Sequence, residues 1–288
     1  MENFKICTDS GCDIKNNILK LWDVTSLSLT FRFTDSDTEY KNDEMDINDF
    51  YTKMTEGKIA KTSAVNSESF ASHFEAIIKE GFDILYIGFS SGLSTTYNCA
   101  RIAAEELMKK YPERKIIAVD SLCASAGQGL LLRLALDRQA EGKSIHEVAE
   151  YVEDTKLKIC HWFTVNDLVY LKRGGRVSPA VAFVGNMLGI KPVLHVDNAG
   201  HLVNVGKVRG RRSAIAALAS KYDELKEDGV AAPVYISHAY CENDARELAK
   251  IIQDKHGVKT EIITDVGPVI GAHSGPGTLA VFFVGKER

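Results

Sequence analysis

The sequence predicts an α/β fold with two sheets: an N-terminal parallel sheet flanked by helices and a C-terminal mixed sheet with helices. In the first half, short apolar runs alternate with amphipathic stretches, and repeated β–α alternation is typical of a parallel sheet covered on both faces. After about residue 157 a hairpin signal appears. A chain of 288 residues has room for two domains, so we expect one over residues 1–157 and another over 158–288. No Pro- or Ser-rich linker separates them, and we expect close packing between the halves.

The first half contains predicted strands and helices in alternation. The strands are FKICTDS, FDILYIG and KIIAVDS. The helices are SESFASHFEAIIKEG, which stops at Gly81, then STTYNCARIAAEELMKKY, closed by Pro112, and SAGQGLLLRLALDRQAEG. The spacing of Ser144 and Glu147 in SIHE then suits a capping box at the start of one more helix.

The second half mixes a hairpin with β–α units. Two strand-like runs in IKPVLHVDNAGHLVNVGKVR are joined by the Asp-Asn-Ala-Gly segment 197–200, which is a hairpin signal. APVYISHAY and KTEIITDVG then bracket the helix ENDARELAKIIQDKHG, and TLAVFFVG is the last apolar run. This order predicts a mixed sheet.

Composition and charge narrow the possible functions. A formal net charge of −4 gives no general attraction to nucleic acid or an anionic membrane, so any basic site must be local. The six cysteines show no C-x-x-C pairing, a pattern that indicates reduced core residues and no zinc or redox site. The N-terminus lacks a signal-peptide layout, and no apolar run reaches the length of a bilayer span. We therefore expect a cytoplasmic protein with no metal, no nucleic-acid partner and no integral membrane contact.

The stretch GFSSG raises the question of a hydrolase. Gly88, Ser90 and Gly92 form G-x-S-x-G between a strand and a helix, which is the pattern of a nucleophile elbow. Asp265 and His273 follow in the order of a catalytic triad. An elbow also needs a glycine-containing partner loop for its oxyanion hole, and no His-Gly or Gly-Gly pair precedes Gly88. A serine esterase that uses Ser90, Asp265 and His273 therefore remains the alternative hypothesis.

The same loop is rich in hydroxyl groups at the start of a helix. A helix N-terminus offers unpaired N–H groups and positive dipole charge, which favour a phosphate or carboxylate. Further hydroxyl and carboxyl groups occur where other strands end or just before a helix, and ligands bind at that edge of α/β sheets. We therefore favour an anion-binding rim over a triad. The residues concerned are Ser90, Ser91, Ser94, Thr95 and Thr96, with Thr8-Asp9-Ser10, Asp120-Ser121 and Thr62-Ser63.

Three motifs of the second half could meet a ligand or partner. LVYLKRGGRVSPA carries Lys172, Arg173 and Arg176 around two glycines, and predicts a tight turn followed by a helix capped at Ser178 with Pro179 at its first position. GKVRGRRSAI concentrates four basic residues, and could meet phosphate groups, an acidic partner or only solvent. GPVIGAHSGPGT places His273 between glycines, where the backbone can approach a ligand closely.

Taken in order, these motifs resemble the DegV family. The matching stretches are TDS, KTSAVNSESF, GFSSGLSTTYN, VDS, YLKRGGRVS, LGIKPVL, KVRGRRSAI and GPVIGAHSGPGT. They extend over nearly the whole chain, and their order is more specific than any one of them. The resemblance implies a two-domain α/β protein that holds one long-chain fatty acid between its domains. It further implies the fatty-acid-binding subunit of a fatty acid kinase, which presents the carboxylate to a separate ATP-dependent kinase subunit and has no turnover or cofactor of its own.

The resemblance also implies roles for individual residues. Thr62 and Ser94 are the expected hydrogen-bond donors to the carboxylate, and His273 is the expected head-group neighbour. Their loops include the supporting residues Ser63, Ser91 and Thr95, and Arg209 resembles the position that docks the kinase. The chain departs from the family where Ser-Thr-Thr-Tyr replaces Ser-Gly-Thr-Tyr at 94–97, because Thr95 adds a side chain beside the expected carboxylate. It also lacks the proline that often follows the Thr-Ser pair at 62–63.

Overall fold

The computed structural model describes residues 3–177, 189–227, 229 and 232–288. Within them the chain forms three sheets and the helices packed on them. The predicted cap at Ser178 and the proline at 179 lie outside the described residues.

The first sheet is parallel and has four strands in the order β2-β1-β6-β7. Side chains alternate between its two faces, as the two-residue period of a strand requires. Ile6, Leu85 and Ile87 pack on one face against α5 and α6, whereas Ile84 and Tyr86 pack on the other against α3 and α4. The elements are β1 (Phe4–Asp9), α1 (Asn16–Leu21), β2 (Thr25–Leu27), α3 (Ser67–Lys79), β6 (Asp83–Gly88), α4 (Thr96–Lys110), β7 (Ile116–Asp120), α5 (Ala126–Ala140) and α6 (Ile145–Thr155).

A small antiparallel sheet, with the order β4-β3-β5, is inserted between β2 and α3. It consists of β3 (Thr30–Phe33), β4 (Tyr40–Lys41) and β5 (Ala60–Ser63), and α2 (Ile47–Thr55) lies between β4 and β5 in the chain. This sheet could not be predicted from the sequence, because strands of two to four residues are too short to show a period. The sheet matters for the site, because β5 carries Thr62.

The second half forms the mixed sheet that the sequence predicts, with the order β10-β9-β8-β13-β11-β12. Only β11 and β12 pair in parallel among its described strands, and the other pairs are antiparallel. Residues 197–200 join β9 to β10 as a hairpin, as predicted. The elements are β8 (Ile159–Thr164), α7 (Val169–Arg173), β9 (Ile190–Val196), β10 (Leu202–Arg209), α8 (Arg211–Leu225), β11 (Val234–His238), α9 (Glu242–His256), β12 (Thr260–Asp265), α10 (Pro268–Ser274) and β13 (Leu279–Val284).

The apolar core is continuous between the two halves. Ile87 and Leu130 of the first half belong to the same buried cluster as Phe163 and Phe282 of the second. Burial of shared apolar surface is the main favourable term that holds such layers together. The division at residue 157 stays a prediction, since the core itself does not divide there.

The capping box at the start of α6 is found where it was predicted. The backbone N–H of Glu147 donates to Ser144 Oγ, and that of Ser144 to Glu147 Oε2, so the capping box at α6 is present. The six cysteines are free. Among the described residues, no group of three or more His, Cys, Asp or Glu is arranged to hold a metal ion. No helix in the described part of the chain has the length and apolar character needed to cross a bilayer.

Candidate functional site

A cavity of about 510 Å³ lies between the halves and is lined from all three sheets or the loops that follow them. Most of its wall is apolar, and polar groups gather at β5, the loop before α4 and the end of α10. Among the described lining residues, Arg176 is the only Lys or Arg, and there is no Asp or Glu. The apolar lining side chains include Leu29, Phe89, Leu93, Phe163, Leu171, Val196, Leu202, Val266, Val269, Ile270 and Phe282.

Thr62 and His273 meet in this cavity, although they lie at opposite ends of the sequence. Thr62 is in β5, paired with Phe31, and His273 is in the last turn of α10. Thr62 Oγ1 and His273 Nε2 are 2.8 Å apart, which is a hydrogen bond. Burial, and secondarily the positive charge of Arg176, lowers the pKa of His273 from 6.5 to about 4. His273 is therefore neutral at physiological pH.

The surroundings of His273 fix which ring nitrogen carries the proton. Nδ1 is buried and has no hydrogen-bond partner among the described residues. A Cβ built on Gly174 would lie only 2.1 Å from it, so the ring sits directly against the glycine Cα. A proton on Nδ1 would point at that carbon with no acceptor, and we therefore assign it to Nε2. Nε2–H then donates to Thr62 Oγ1, which leaves the Thr62 hydroxyl proton free to donate to a ligand.

Ser94 lies at the start of α4 and lines the same cavity. Its Oγ accepts from the backbone N–H of Thr96 at 3.2 Å and lies 2.9 Å from Thr96 Oγ1. The helix itself begins at Thr96, with Thr95 as the N-cap residue, whose side chain makes no capping bond. Ser94 thus stands at the positive end of a 15-residue helix, where negative charge is favoured.

Arg176 is the site residue whose role the sequence analysis missed. Its Nε and Nη2 donate to the carbonyl of Leu93 at 3.1 and 2.9 Å, and Nη1 donates to the carbonyl of Gly174. The guanidinium therefore fastens the loop of Ser94 to the glycine turn that supports His273. Burial lowers its pKa, but an arginine stays charged. The signal available in the sequence was the cluster of three basic residues in KRGGR, which did not distinguish Arg176 from Lys172 and Arg173.

A protein-family model matches nearly the whole chain. The family model described as "Uncharacterised protein, DegV family" matches residues 3–286. This chain belongs to the DegV family.

Similar DegV proteins span the chain from end to end. A DegV domain-containing protein of Clostridium perfringens is 43% identical over 100% of this chain and 99% of its own length. A Thermotoga maritima protein named a fatty acid-binding protein is 34% identical, over 99% of this chain and 98% of its own.

Solved structures of similar proteins share the α/β fold with a parallel and a mixed sheet. A Thermotoga maritima protein, whose structure is described as revealing a fatty acid binding function, has a TM-score of 0.86 at 30% identity, over 99% of this chain and 100% of its own. A stearic acid-binding protein of Eubacterium ventriosum has a TM-score of 0.87 at 25% identity, over 98% of both chains. The fold class predicted from the sequence is thereby confirmed.

Only part of the predicted anion-binding rim faces the cavity of this DegV protein. Thr62, Ser63, Ser91, Ser94 and Thr95 line it as a group. The groups at the ends of β1 and β7 do not, and two of them bond inward. Thr8 Oγ1 donates to the carbonyl of Ile87, and the buried Asp9 accepts from Tyr86 Oη at 2.5 Å and from the N–H groups of Phe89 and Gly11. The strand ends therefore shape the loop after β6, and they do not line the cavity.

The alternative triad is not assembled. Ser90 is fully buried, and its Oγ donates to the carbonyl of Gly200 at 2.9 Å. Asp265 lies 3.3 Å from Lys15 Nζ and 3.8 Å from His238 Nε2, while His273 is bonded to Thr62. The G-x-S-x-G glycines serve close packing, since a Cβ on Gly92 would lie 2.8 Å from the carbonyl oxygen of Gly200. The loop is thus a contact between the halves of the DegV fold.

Arg209 lies apart from the cavity, at the end of β10. Its side chain is exposed and makes no ion pair or hydrogen bond with the described residues. Its neighbour Arg211, by contrast, is bonded to Asp244 and to the carbonyl of Gly277. The structure therefore brings Thr62, Ser94 and His273 together and leaves Arg209 on the surface.

Proposed function

We propose that this protein binds one long-chain fatty acid in the cavity and presents its carboxylate to a separate ATP-dependent kinase subunit in the cytoplasm, which forms the acyl phosphate. Thr62, Ser94 and His273 hold the carboxylate, with Ser63, Ser91 and Thr95 in support. The observation that carries this proposal is an apolar cavity with one arginine, hydroxyl donors and no described acidic group in its lining. The fatty-acid ligands of the similar Thermotoga maritima and Eubacterium ventriosum proteins support the same ligand class.

The apolar wall provides most of the binding energy. Each methylene buried contributes about 0.8 kcal/mol, so a sixteen-carbon chain gains roughly 10 kcal/mol before the costs of association. A volume of about 510 Å³ lies within the ordinary range of small-molecule sites. Contacts with the acyl chain of the ligand therefore give tight retention, and the polar groups of the cavity orient the carboxylate.

The head group requires the polar end of the cavity. A carboxylate cannot be buried without partners, since the desolvation cost of an unpaired charge is too large. The free hydroxyl proton of Thr62, the Ser94 hydroxyl and the N-terminus of α4 supply hydrogen bonds and positive dipole charge. Arg176 supplies the compensating full charge, at the point where it fastens the Ser94 loop.

The same geometry favours presentation over catalysis by this chain. A hydroxyl becomes a nucleophile when an adjacent base accepts its proton, and a general base works best when its pKa is near the operating pH. His273 has a pKa of about 4, and its Nε2–H donates to Thr62. The Thr62 hydroxyl is therefore unactivated, which protects an acyl phosphate from capture by the protein.

Native mass spectrometry of the purified protein tests the ligand. We expect one bound long-chain fatty acid per chain, or uptake of one added palmitate or oleate. A protein that arrives empty and takes up neither acid would overturn the proposal.

The division of labour between chain and head group has its own test. Ser94→Ala and Thr62→Ala should slow phosphorylation by the kinase subunit much more than they weaken fatty-acid retention, because positioning resides at the head group. Equal losses in the two assays would contradict that division.

Arg209→Ala should leave the fatty acid bound and slow the kinase reaction. Arg246→Ala is the matched control, because Arg246 is also exposed but is paired with Glu242 on α9. Unchanged kinetics in the Arg209 variant would remove that residue from the docking role.

A further inference from the structure

A second polar cluster lies in the cavity wall, apart from Thr62, Ser94 and His273. Ser125 and Ser237 both line the cavity, and both are buried. Ser125 Oγ lies 2.5 Å from Asp13 Oδ2 and 3.0 Å from Ser237 Oγ. Ser237 is in β11, in register with Ala280, which also lines the cavity. The three side chains form a hydrogen-bonded chain that ends at the cavity surface.

Ser125 has a backbone conformation that L-residues rarely adopt. Its φ is 53° and its ψ is −147°, at the N-cap position of α5. Such a conformation costs on the order of 1–3 kcal/mol and persists only where the surroundings enforce it, often at ligand sites. Here it aims the Ser125 hydroxyl at Asp13 and Ser237. This backbone conformation lowers the stability of the folded protein, so we look for a function of the Ser125 hydroxyl that it positions.

A count of protons shows that Ser237 has unused hydrogen-bonding capacity. Ser125 has one proton, which cannot serve both the 2.5 Å and the 3.0 Å contact. If Asp13 is ionised, Ser125 donates to it and Ser237 donates to Ser125, so the Ser237 lone pairs remain open. If Asp13 is protonated, the donations reverse and the Ser237 proton remains open. In either protonation state of Asp13, the Ser237 hydroxyl can therefore make one further hydrogen bond to a ligand in the cavity.

A second unpartnered hydroxyl lines the cavity beside His273, at the head-group end. Ser274 also lines the cavity and is only 5% exposed, yet its Oγ has no hydrogen-bond partner among the described residues. Buried polar groups are nearly always satisfied, so an orphaned hydroxyl in a ligand cavity indicates a partner supplied by the ligand or its water. A fully saturated hydrocarbon chain would leave Ser237 facing methylenes.

A purely structural role explains only part of the cluster. Asp13 Oδ1 accepts from the N–H of Gly267, and Thr264 Oγ1 donates to the Asp13 carbonyl, so Asp13 does tie the two halves together. Those bonds need neither the strained Ser125 backbone nor a serine at 237. They do locate the cluster, because Gly267 precedes α10 and His273 lies near its end. Six residues of helix rise by about 9 Å, so Gly267, which contacts Asp13, and His273, which contacts Thr62, lie at opposite ends of α10.

We propose that the cavity accepts a fatty acid with a hydroxyl or oxo group part-way along its chain, and that Ser237 is the hydrogen-bond partner of that oxygen. This inference rests on the proposed fatty-acid function and adds the substrate class. Ser125 and Asp13 position the Ser237 hydroxyl.

The test compares stearic acid with positional isomers of hydroxystearic acid, with the hydroxyl near the carboxylate, at mid-chain or near the methyl end. Affinities are measured by displacement of a fluorescent fatty acid from the lipid-free protein. We expect the mid-chain isomer to bind at least as tightly as stearic acid and the methyl-end isomer to bind more weakly. Ser237→Ala should weaken mid-chain binding by about twofold to tenfold, as loss of one hydrogen bond predicts, and leave stearic acid unchanged.

Two further variants guard the interpretation. Ser237→Cys keeps nearly the same volume and should show the same selective loss. Thr264→Val is the matched control, because it removes a buried hydroxyl bonded to the same Asp13 but does not line the cavity, and it should retain the mid-chain preference.

The outcomes separate the two proposals. Binding of stearic acid with no positional preference, or the same loss for both acids in Ser237→Ala, overturns this inference alone. Failure of every acid to bind overturns the proposed function with it.

Discussion

Replacing Gly174 by alanine should displace His273. Gly174 has a helical φ of −74°, where alanine is at ease, so the backbone itself gains about 0.5–1 kcal/mol from the change. The new methyl would nevertheless lie 2.1 Å from His273 Nδ1. The imidazole is held between Gly174 at Nδ1 and Thr62 at Nε2, and it cannot accommodate the methyl without moving.

The size of the effect follows from these distances. The methyl carbon and Nδ1 must separate by about 1.3 Å to reach ordinary contact at 3.4 Å. A displacement of that size does not preserve the 2.8 Å bond to Thr62. Overpacking costs about 1–3 kcal/mol and a lost hydrogen bond about 0.5–1.5 kcal/mol. After the backbone gain, we expect the free energy of unfolding to fall by about 0.5–4 kcal/mol.

Urea unfolding and the NMR titration of the His273 ring measure the two consequences. In Gly174→Ala, the pKa of His273 should rise from about 4 toward its ordinary value of 6.5, because the displaced ring regains water. Gly175→Ala is the matched control. Its φ of +71° makes alanine cost about 1–2 kcal/mol, but a Cβ there meets no atom within 4 Å, so the His273 signal should not move.

The reasoning is refuted if Gly174→Ala is as stable as the parent protein and its His273 titrates unchanged. A loss of stability with an unchanged titration would also refute it, since the clash is specific to that ring.

Three other variants test separate parts of the site. Arg176→Gln should weaken palmitate binding about tenfold or more, as loss of a charged hydrogen-bond donor predicts, and an unchanged affinity would contradict this. The same variant should raise the pKa of His273, because it removes a nearby positive charge. That pKa should stay below 6.5, because burial is the larger cause of its shift. Burial raises the pKa of Asp13 from 3.8 to about 7, so its stabilising contribution is full below 3.8 and is lost as the pH rises through 7. In urea unfolding, the free energy of unfolding of Asp13→Asn should therefore rise relative to that of the parent protein as the pH increases from about 4 to about 7. A difference between the two proteins that does not change with pH would contradict the raised pKa of Asp13. Ser90→Ala should lower the free energy of unfolding by about 1–2 kcal/mol, because it leaves the carbonyl of Gly200 unpaired. A fluorophosphonate probe should label neither this variant nor the parent protein. Labelling at Ser90 would restore the esterase hypothesis.

Much of the fold could be predicted from the sequence because its elements are long and periodic. The β–α units of the first half and the hairpin at 197–200 each carry a local signal, in the form of apolar runs, caps and turn residues. The small sheet of β3, β4 and β5 carries none. Its strands are held by the aromatic core of Phe31, Phe33 and Phe50, which only the tertiary structure brings together.

The site shows the same limit at the level of single side chains. The position of Ser94 near the start of α4 could be predicted, because a strand, a loop and a helix start are all visible in the sequence. The inward turn of Asp9 could not, since it depends on Tyr86 in the neighbouring strand β6 and on Phe89 just after that strand. The backbone of Ser125 could not either, because nothing local favours a positive φ at serine. Motifs locate the loops, but contacts across the fold decide which of their atoms reach the cavity.

The hairpin of β9 and β10 connects the surface around Arg209 with the wall of the cavity. Its turn is bonded to Ser90 at one end, and the eight residues of β10 run about 25 Å to Arg209 at the other. Between these ends, Val196 and Leu202 lie against the cavity. β10 is the edge strand of the mixed sheet, and it carries the exposed Arg209 at one end and adjoins the Ser90–Gly200 contact at the other. If Arg209 is the docking residue, as proposed, a bound kinase subunit contacts the same strand whose residue Leu202 lines the cavity, so one structural element serves both the partner and the ligand.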